Sequence, residues 1–189
     1  MMRRIKARLK GTAGFTLGEI LVVVLILLMV SAVMAAGIPS AANAYRKVVD
    51  AANAQTLLST TMTALRDELT SAREVSVGND QKSVEYLSGS GVRSRISTGY
   101  VDNAAYRGIG LEYLPYSGSA DSASGRLLVS AAASNRNLTV SFDSVSFDED
   151  DDSLLIFSDI IVTKNTGDGS MELASADSLQ IRVFSQAAP

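Results

Sequence analysis

Residues 14–39 read GFTLGEILVVVLILLMVSAVMAAGIP, and the architecture of the chain turns on this stretch. From Ile20 to Ile38 it holds nineteen consecutive uncharged residues, dense in Leu, Val, Ile and Met. At about 1.5 Å per residue, a helix of that length matches the roughly 30 Å hydrocarbon core of a bilayer. The segment is therefore expected to span a membrane as a helix. Arg3, Arg4, Lys6, Arg8 and Lys10 precede it without an intervening acid. Basic flanks stay on the cytoplasmic side, which predicts a single-pass chain in the cytoplasmic membrane, N-terminus inside and the long C-terminal part outside.

Glu19 stands directly at the start of the apolar run. There it adds an insertion cost and weakens the positive flank on which orientation relies. An ordinary export signal gains nothing from such an acid, although Val33-Met34-Ala35-Ala36 offers small residues for signal cleavage after the apolar core 20–30. A carboxylate in a membrane costs on the order of 2.5–3.5 kcal/mol at a helix centre and less near the interface, so it normally has a partner.

Gly14-Phe15-Thr16-Leu17-Gly18-Glu19, followed by Ile20-Leu21-Val22-Val23-Val24, resembles the processing site and mature start of type IV prepilins and type II secretion pseudopilins. The resemblance implies that a membrane aspartyl protease, the prepilin peptidase, cuts after Gly14 and N-methylates Phe15. It also implies that Glu19, then the fifth residue of the mature chain, balances the new N-terminal ammonium of a neighbouring subunit or its own during docking into a filament. The partners it implies are other pilin subunits, a membrane platform protein and an assembly ATPase. The destination it implies is an extracellular pilus or an envelope-spanning pseudopilus, with the subunit a major pilin, minor pilin or pseudopilin. Cleavage would place a cation four residues before Glu19, about 6 Å of helix rise away. In a low dielectric that pairing is far stronger than in water, whereas an unpaired carboxylate tends to protonate. Gly18 departs from the larger apolar residue common in the family and lowers helix propensity by roughly 1 kcal/mol relative to Ala. The fourteen-residue leader is a second departure.

Composition narrows the alternatives. The chain contains no Cys, His or Trp, so imidazole and thiolate chemistry is absent, and neither an enzyme nor a cofactor is expected. A Ser-His-Asp triad is closed for the same reason, and no Ser-x-x-Lys pairing replaces it. Removing the five positive charges of the leader takes the formal net charge from −3 to −8. An acidic body repels nucleic-acid phosphates, and Arg93, Arg95 and Arg107, the only local basic group, read as a solvated strand face. Direct nucleic-acid binding is not expected.

Past the span, Pro39 follows Gly37 and Ile38. Proline removes an intrahelical donor and clashes with the preceding turn, which predicts a kink at Gly37 and Pro39 or a helix end at the membrane surface. Leu58, Met62, Leu65, Leu69 and Ala72 then recur at helical spacing, with Arg66, Asp67, Glu68, Arg73 and Glu74 on other faces. An amphipathic helix running to about Val75 is expected, its apolar stripe packed on a sheet.

After Gly78-Asn79-Asp80, short apolar runs at 84–87, 92–97, 111–114, 126–131, 138–142, 154–157, 160–163 and 179–184 alternate with turn residues. In the last run Leu179, Ile181 and Val183 are expected to point inward. Asn165-Thr166-Gly167-Asp168-Gly169 reads as a turn between antiparallel strands. The fold class is α+β: a long N-terminal helix, membrane-spanning in its first half, packed on a mainly antiparallel sheet in a pilin-like order. Its parts are a basic leader (1–14), a transmembrane or filament-core helix (15–38), an amphipathic half (39–75) and a β-rich domain (76–189).

Two further features bear on function. Asp148-Glu149-Asp150-Asp151-Asp152 offers oxygen ligands for Ca²⁺, with Asp148, Asp150 and Asp152 the candidate set and Asp159 eleven residues after Asp148. Ser153 in place of the turn glycine, and the strand-like Leu154-Leu155-Ile156-Phe157, rule out an EF-hand and favour a solvated acidic loop. Asn137-Leu138-Thr139 is a glycosylation sequon overlapping an expected strand. The rival to a filament subunit is an exported or membrane-anchored binding domain that does not polymerise.

Overall fold

The computed structural model describes residues 16–103, 106–115, 124–129, 138–166 and 169–184. Helix α1 runs Leu17–Thr70 and continues unbroken through Gly37 and Pro39. Its residues divide between two compact units, with the boundary between Lys47 and Val48.

In the second unit, Asp50, Ala54, Leu57, Leu58, Thr61, Leu65 and Leu69 are buried. Steps of three and four put these residues on one face. The expected stripe is present: Leu58, Leu65, Leu69 and Ala72 are buried and Met62 is partly so, but it begins a full two turns earlier, at Asp50. The Thr61 hydroxyl avoids an unmet polar group by donating to the Leu57 carbonyl at 2.8 Å.

The helix ends at Thr70 rather than near Val75, because Arg73–Val77 forms strand β1. The chain turns through Ala72, whose amide bonds the Leu69 carbonyl at 3.1 Å, and Glu74 takes φ +50. Val75 is still fully buried, now from a strand.

Among the described residues two antiparallel sheets follow where one was expected. The first orders β1, β2 (Ser83–Leu87), β3 (Arg93–Asn103), β4 (Tyr106–Tyr113) and β5 (Ser124–Leu127) as a meander. The second comprises β6 (Leu138–Ser141), β7 (Ser144–Phe147), β8 (Leu154–Thr166) and β9 (Gly169–Arg182). It is built on β8, with β9 along one edge and β6 and then β7 along the other. The α+β arrangement is thus one long helix packed on antiparallel sheets.

The gap between β6 and β7 has a cause in backbone hydrogen bonding. There the Phe142 amide donates to Thr98 Oγ1 at 3.3 Å and the Val145 amide to the Gln81 carbonyl at 2.8 Å. Thr98 is on β3 and Gln81 in the β1–β2 turn, so this edge reaches to the first sheet while the Asp143 amide keeps a bond to the Ser158 carbonyl of β8 at 3.1 Å. Beneath it Phe142 meets Phe157 edge to face at 5.1 Å.

Residues 154–157 and 160–163, read separately from the sequence, are parts of the single strand β8. Leu155 and Phe157 are buried, then Ile160 and Val162, so the inward phase changes by one residue at Asp159. Asp159 absorbs the change with φ +50. A strand slipped by one residue would otherwise turn its apolar set to solvent. In β9 the phase changes too: Ala174 and then Leu179 and Ile181 are buried.

Two glycines make room for an aromatic ring. The Tyr100 ring lies over Gly110 and Gly125, where an added Cβ would collide with it. Gly99, at φ +74, marks the bulge in β3 that aims Tyr100 there.

Candidate membrane and assembly site

The start of α1 is organised by Thr16 and Glu19. The Thr16 amide donates to Glu19 Oε2 at 2.9 Å and the Thr16 hydroxyl reaches the same oxygen at 3.2 Å. In return the Glu19 amide donates to Thr16 Oγ1 at 3.3 Å. This is a reciprocal capping box, Thr-x-x-Glu, which satisfies amides that a helix N-terminus leaves without partners. The negative carboxylate also lies at the positive end of the helix dipole. The pattern is legible in Thr16-Leu17-Gly18-Glu19, although the sequence expectation rested on the charge of Glu19 alone. Gly14 and Phe15, the expected processing and methylation positions, lie outside the described residues, as does the basic leader.

Beyond Glu19, α1 is long and apolar enough to cross a membrane, and none of that window is covered by the protein itself. Even the least exposed large side chains there, Val24 and Val30, keep 47% of their surface. A contiguous apolar surface of this size calls for another apolar phase, lipid or protein. A membrane anchor fits it.

Tyr45, Arg46 and Lys47 close this unit, all three exposed. Arg46 and Lys47 are the first charges after Glu19. Neither has an ion-pair partner among the described residues. Sequence reasoning passed over them because a solvent-facing triplet leaves no periodic signal.

The second unit fixes its helix to each sheet with a polar contact. Lys164 of β8 pairs with Asp50 at 2.5 Å, with 11% of the Asp50 side chain exposed. The Tyr86 hydroxyl of β2, itself 1% exposed, donates to Glu68 Oε1 at 2.9 Å. Burial, reinforced by Glu68, pushes the Tyr86 phenol well above its ordinary value.

The acidic loop folds onto itself. Asp148 Oδ1 accepts the Asp150 amide at 2.9 Å, and Asp151 accepts the Ser153 amide at 2.9 Å and pairs with Arg182 at 3.0 Å. The Ser153 hydroxyl and amide, with Arg182 contributing less, hold the Asp151 carboxyl below its usual range. Among the described residues no group of three or more His, Cys, Asp or Glu is placed to hold a metal, so Asp148, Asp150 and Asp152 do not converge on a Ca²⁺ site. The basic group of the first sheet is likewise neutralised in part: Arg95 bridges Glu85 at 2.6 Å and Glu112 at 3.7 Å across three strands, and Arg93 pairs with Glu74 at 3.4 Å. Asn137 of the sequon lies outside the described residues; Thr139 is on β6.

No protein-family model, curated protein or solved structure matches the chain.

Proposed function

We propose that the chain is a structural subunit of a type IV pilus-like filament, inserted as a single-pass prepilin with its N-terminus in the cytoplasm. The prepilin peptidase cuts it between Gly14 and Phe15 and methylates Phe15, and the subunit polymerises by parallel packing of its apolar helices. The acidic sheet domains face outward and set the surface chemistry of the filament. The observation that carries this reading is the junction at Glu19: a carboxylate held in the first helical turn, immediately before nineteen uncharged residues that the protein leaves uncovered.

In the processed chain the new α-ammonium belongs to the residue preceding Thr16, whose amide Glu19 already accepts. Successive backbone nitrogens are separated by three covalent bonds, less than about 4 Å. Covalent geometry alone therefore lets an ammonium of the same copy compete with a neighbour's for the Glu19 carboxylate during docking. Glu19→Ala is expected to leave membrane insertion intact and reduce incorporation into filaments. Unchanged incorporation would remove the assembly role of Glu19.

A second reading is favoured by the same hydrogen bonds. The capping box gives Glu19 a use within one copy, as in any helix start, which suits a membrane-anchored binding domain that never polymerises.

A further inference from the structure

The end of the anchor leading into the sheet domain carries an arrangement that filament packing does not require. We propose that Tyr45, Arg46 and Lys47 form a collar that binds anionic phospholipid headgroups. The inference rests on the membrane-anchor reading of residues 20–38 and is independent of polymerisation.

Position comes first. Nineteen residues at about 1.5 Å each fill the roughly 30 Å hydrocarbon core, leaving the headgroup layer to the residues that follow. Tyr45 lies seven residues past Ile38, about 10 Å further along a helix, and Arg and Lys stems several ångströms long reach back toward the core boundary. Successive helical residues are about 100° apart, so the three side chains spread over more than half of the helix circumference.

Chemistry comes second. Tyr45 keeps 72% of its surface, and Arg46 and Lys47 are exposed without a carboxylate within ion-pair distance among the described residues. An amphipathic ring beside two cations with no ion-pair partner among the described residues, continuous with an uncovered apolar span, is the composition of a membrane interface, which in the N-in orientation is the outward one. Carboxylates of a second copy would satisfy the cations but would give the exposed aromatic ring no particular use. Phosphate-bearing anionic lipids use both.

The chain has no Trp, so Tyr45→Trp installs a single indole, excited apart from the tyrosines, at the collar while keeping an interfacial aromatic. The full chain carrying it would be reconstituted at low density in phosphatidylcholine vesicles doped with an equal mole fraction of either brominated phosphatidylglycerol or brominated phosphatidylcholine. Stronger quenching by the brominated phosphatidylglycerol is expected, corresponding to an enrichment of about fivefold per cation. It should vanish in the Arg46→Gln/Lys47→Gln background, reverse in Arg46→Glu/Lys47→Glu, and weaken as salt rises from about 0.05 to about 0.5 M.

Equal quenching by the two lipids, or a preference unchanged by the double variant, overturns the collar. So does a Lys47 that zero-length cross-linking joins to carboxylates of another copy while the lipid preference is absent. A Leu28→Trp reference, with Tyr45 restored, separates the two levels: strong quenching by acyl-chain bromines in both lipids means the span is inserted and any failure belongs to the collar alone. A reference indole that the bromines do not reach overturns the anchor reading and the collar together.

Discussion

The Thr16 amide donates to Glu19 Oε2 at 2.9 Å, so the acid that opens the apolar span is already engaged within its own copy. Its structural and electrostatic roles can be separated. Gln at this position keeps an oxygen acceptor for the capping box but loses the charge, whereas Ala loses both.

Under the filament account, Glu19→Gln should lower incorporation about as much as Glu19→Ala, because the missing element is the negative charge. Helix capping should survive only in the Gln variant, visible as slower amide hydrogen exchange across residues 16–20 than in the Ala variant. Full incorporation of Glu19→Gln would mean that capping, and not charge, is what the position supplies.

Asp50 and Lys164, 114 residues apart, fasten the helix to the second sheet. Removing one partner strands a largely buried charge. Lys164→Met is expected to cost about 2–3 kcal/mol. Adding Asp50→Leu should recover most of that loss, since an apolar pair leaves no charge behind. Urea unfolding of the full chain in detergent reads both, and a double variant no more stable than Lys164→Met would refute the pairing.

Tyr86 predicts an alkaline limit. Its phenol is raised in the folded protein, so the folded state holds the proton more tightly than the unfolded state does. The stabilisation is complete below the unfolded value of 10.0 and declines as pH rises above it. The loss is about 1.4 kcal/mol for each pH unit beyond that point. In Tyr86→Phe this component of the slope should be gone, although the hydrogen bond to Glu68 is lost at every pH. Parallel stability profiles for the two proteins above pH ~10 would contradict the assignment.

Asp159 holds the phase change of β8 with φ +50. A β-branched residue tolerates that conformation poorly, so Asp159→Val should cost about 1–2 kcal/mol, while Asp159→Gly should match or exceed the parent. Thermal unfolding of the two variants decides the matter; equal destabilisation by both would place the effect in the lost carboxylate instead of the backbone.

What was legible from sequence follows from how local each signal is. The span needs only composition, and the stripe of Leu58, Leu65 and Leu69 needs only period, so both were readable. Ala72 and Val75 continue that period by three residues and are buried whether the segment is helix or strand, which is why the helix was expected to reach Val75. The strand β7 escaped because Ser144-Val145-Ser146-Phe147 offers only two apolar residues. Two sheets instead of one could not be foreseen from runs of residues, since the division depends on which strands pair, with β8 taking β6, β7 and β9 as its neighbours. Asp50 was not singled out in the sequence, since its partner Lys164 lies on β8.

At the candidate site, the charge of Glu19 and the extent of the span were visible, and the capping partner was visible but unused. The acidic loop drew attention as a run of ligands, yet Asp148 and Asp151 turn their oxygens to their own loop amides. Local hydrogen bonding of that kind follows from loop conformation, which composition does not specify.

The most direct measurement is intact-mass and terminal-peptide spectrometry of the native protein recovered from its cell envelope. The account predicts a chain beginning at Phe15 and bearing one N-methyl group. A chain beginning at Ala36 or Gly37, or one that retains residues 1–14, would contradict it.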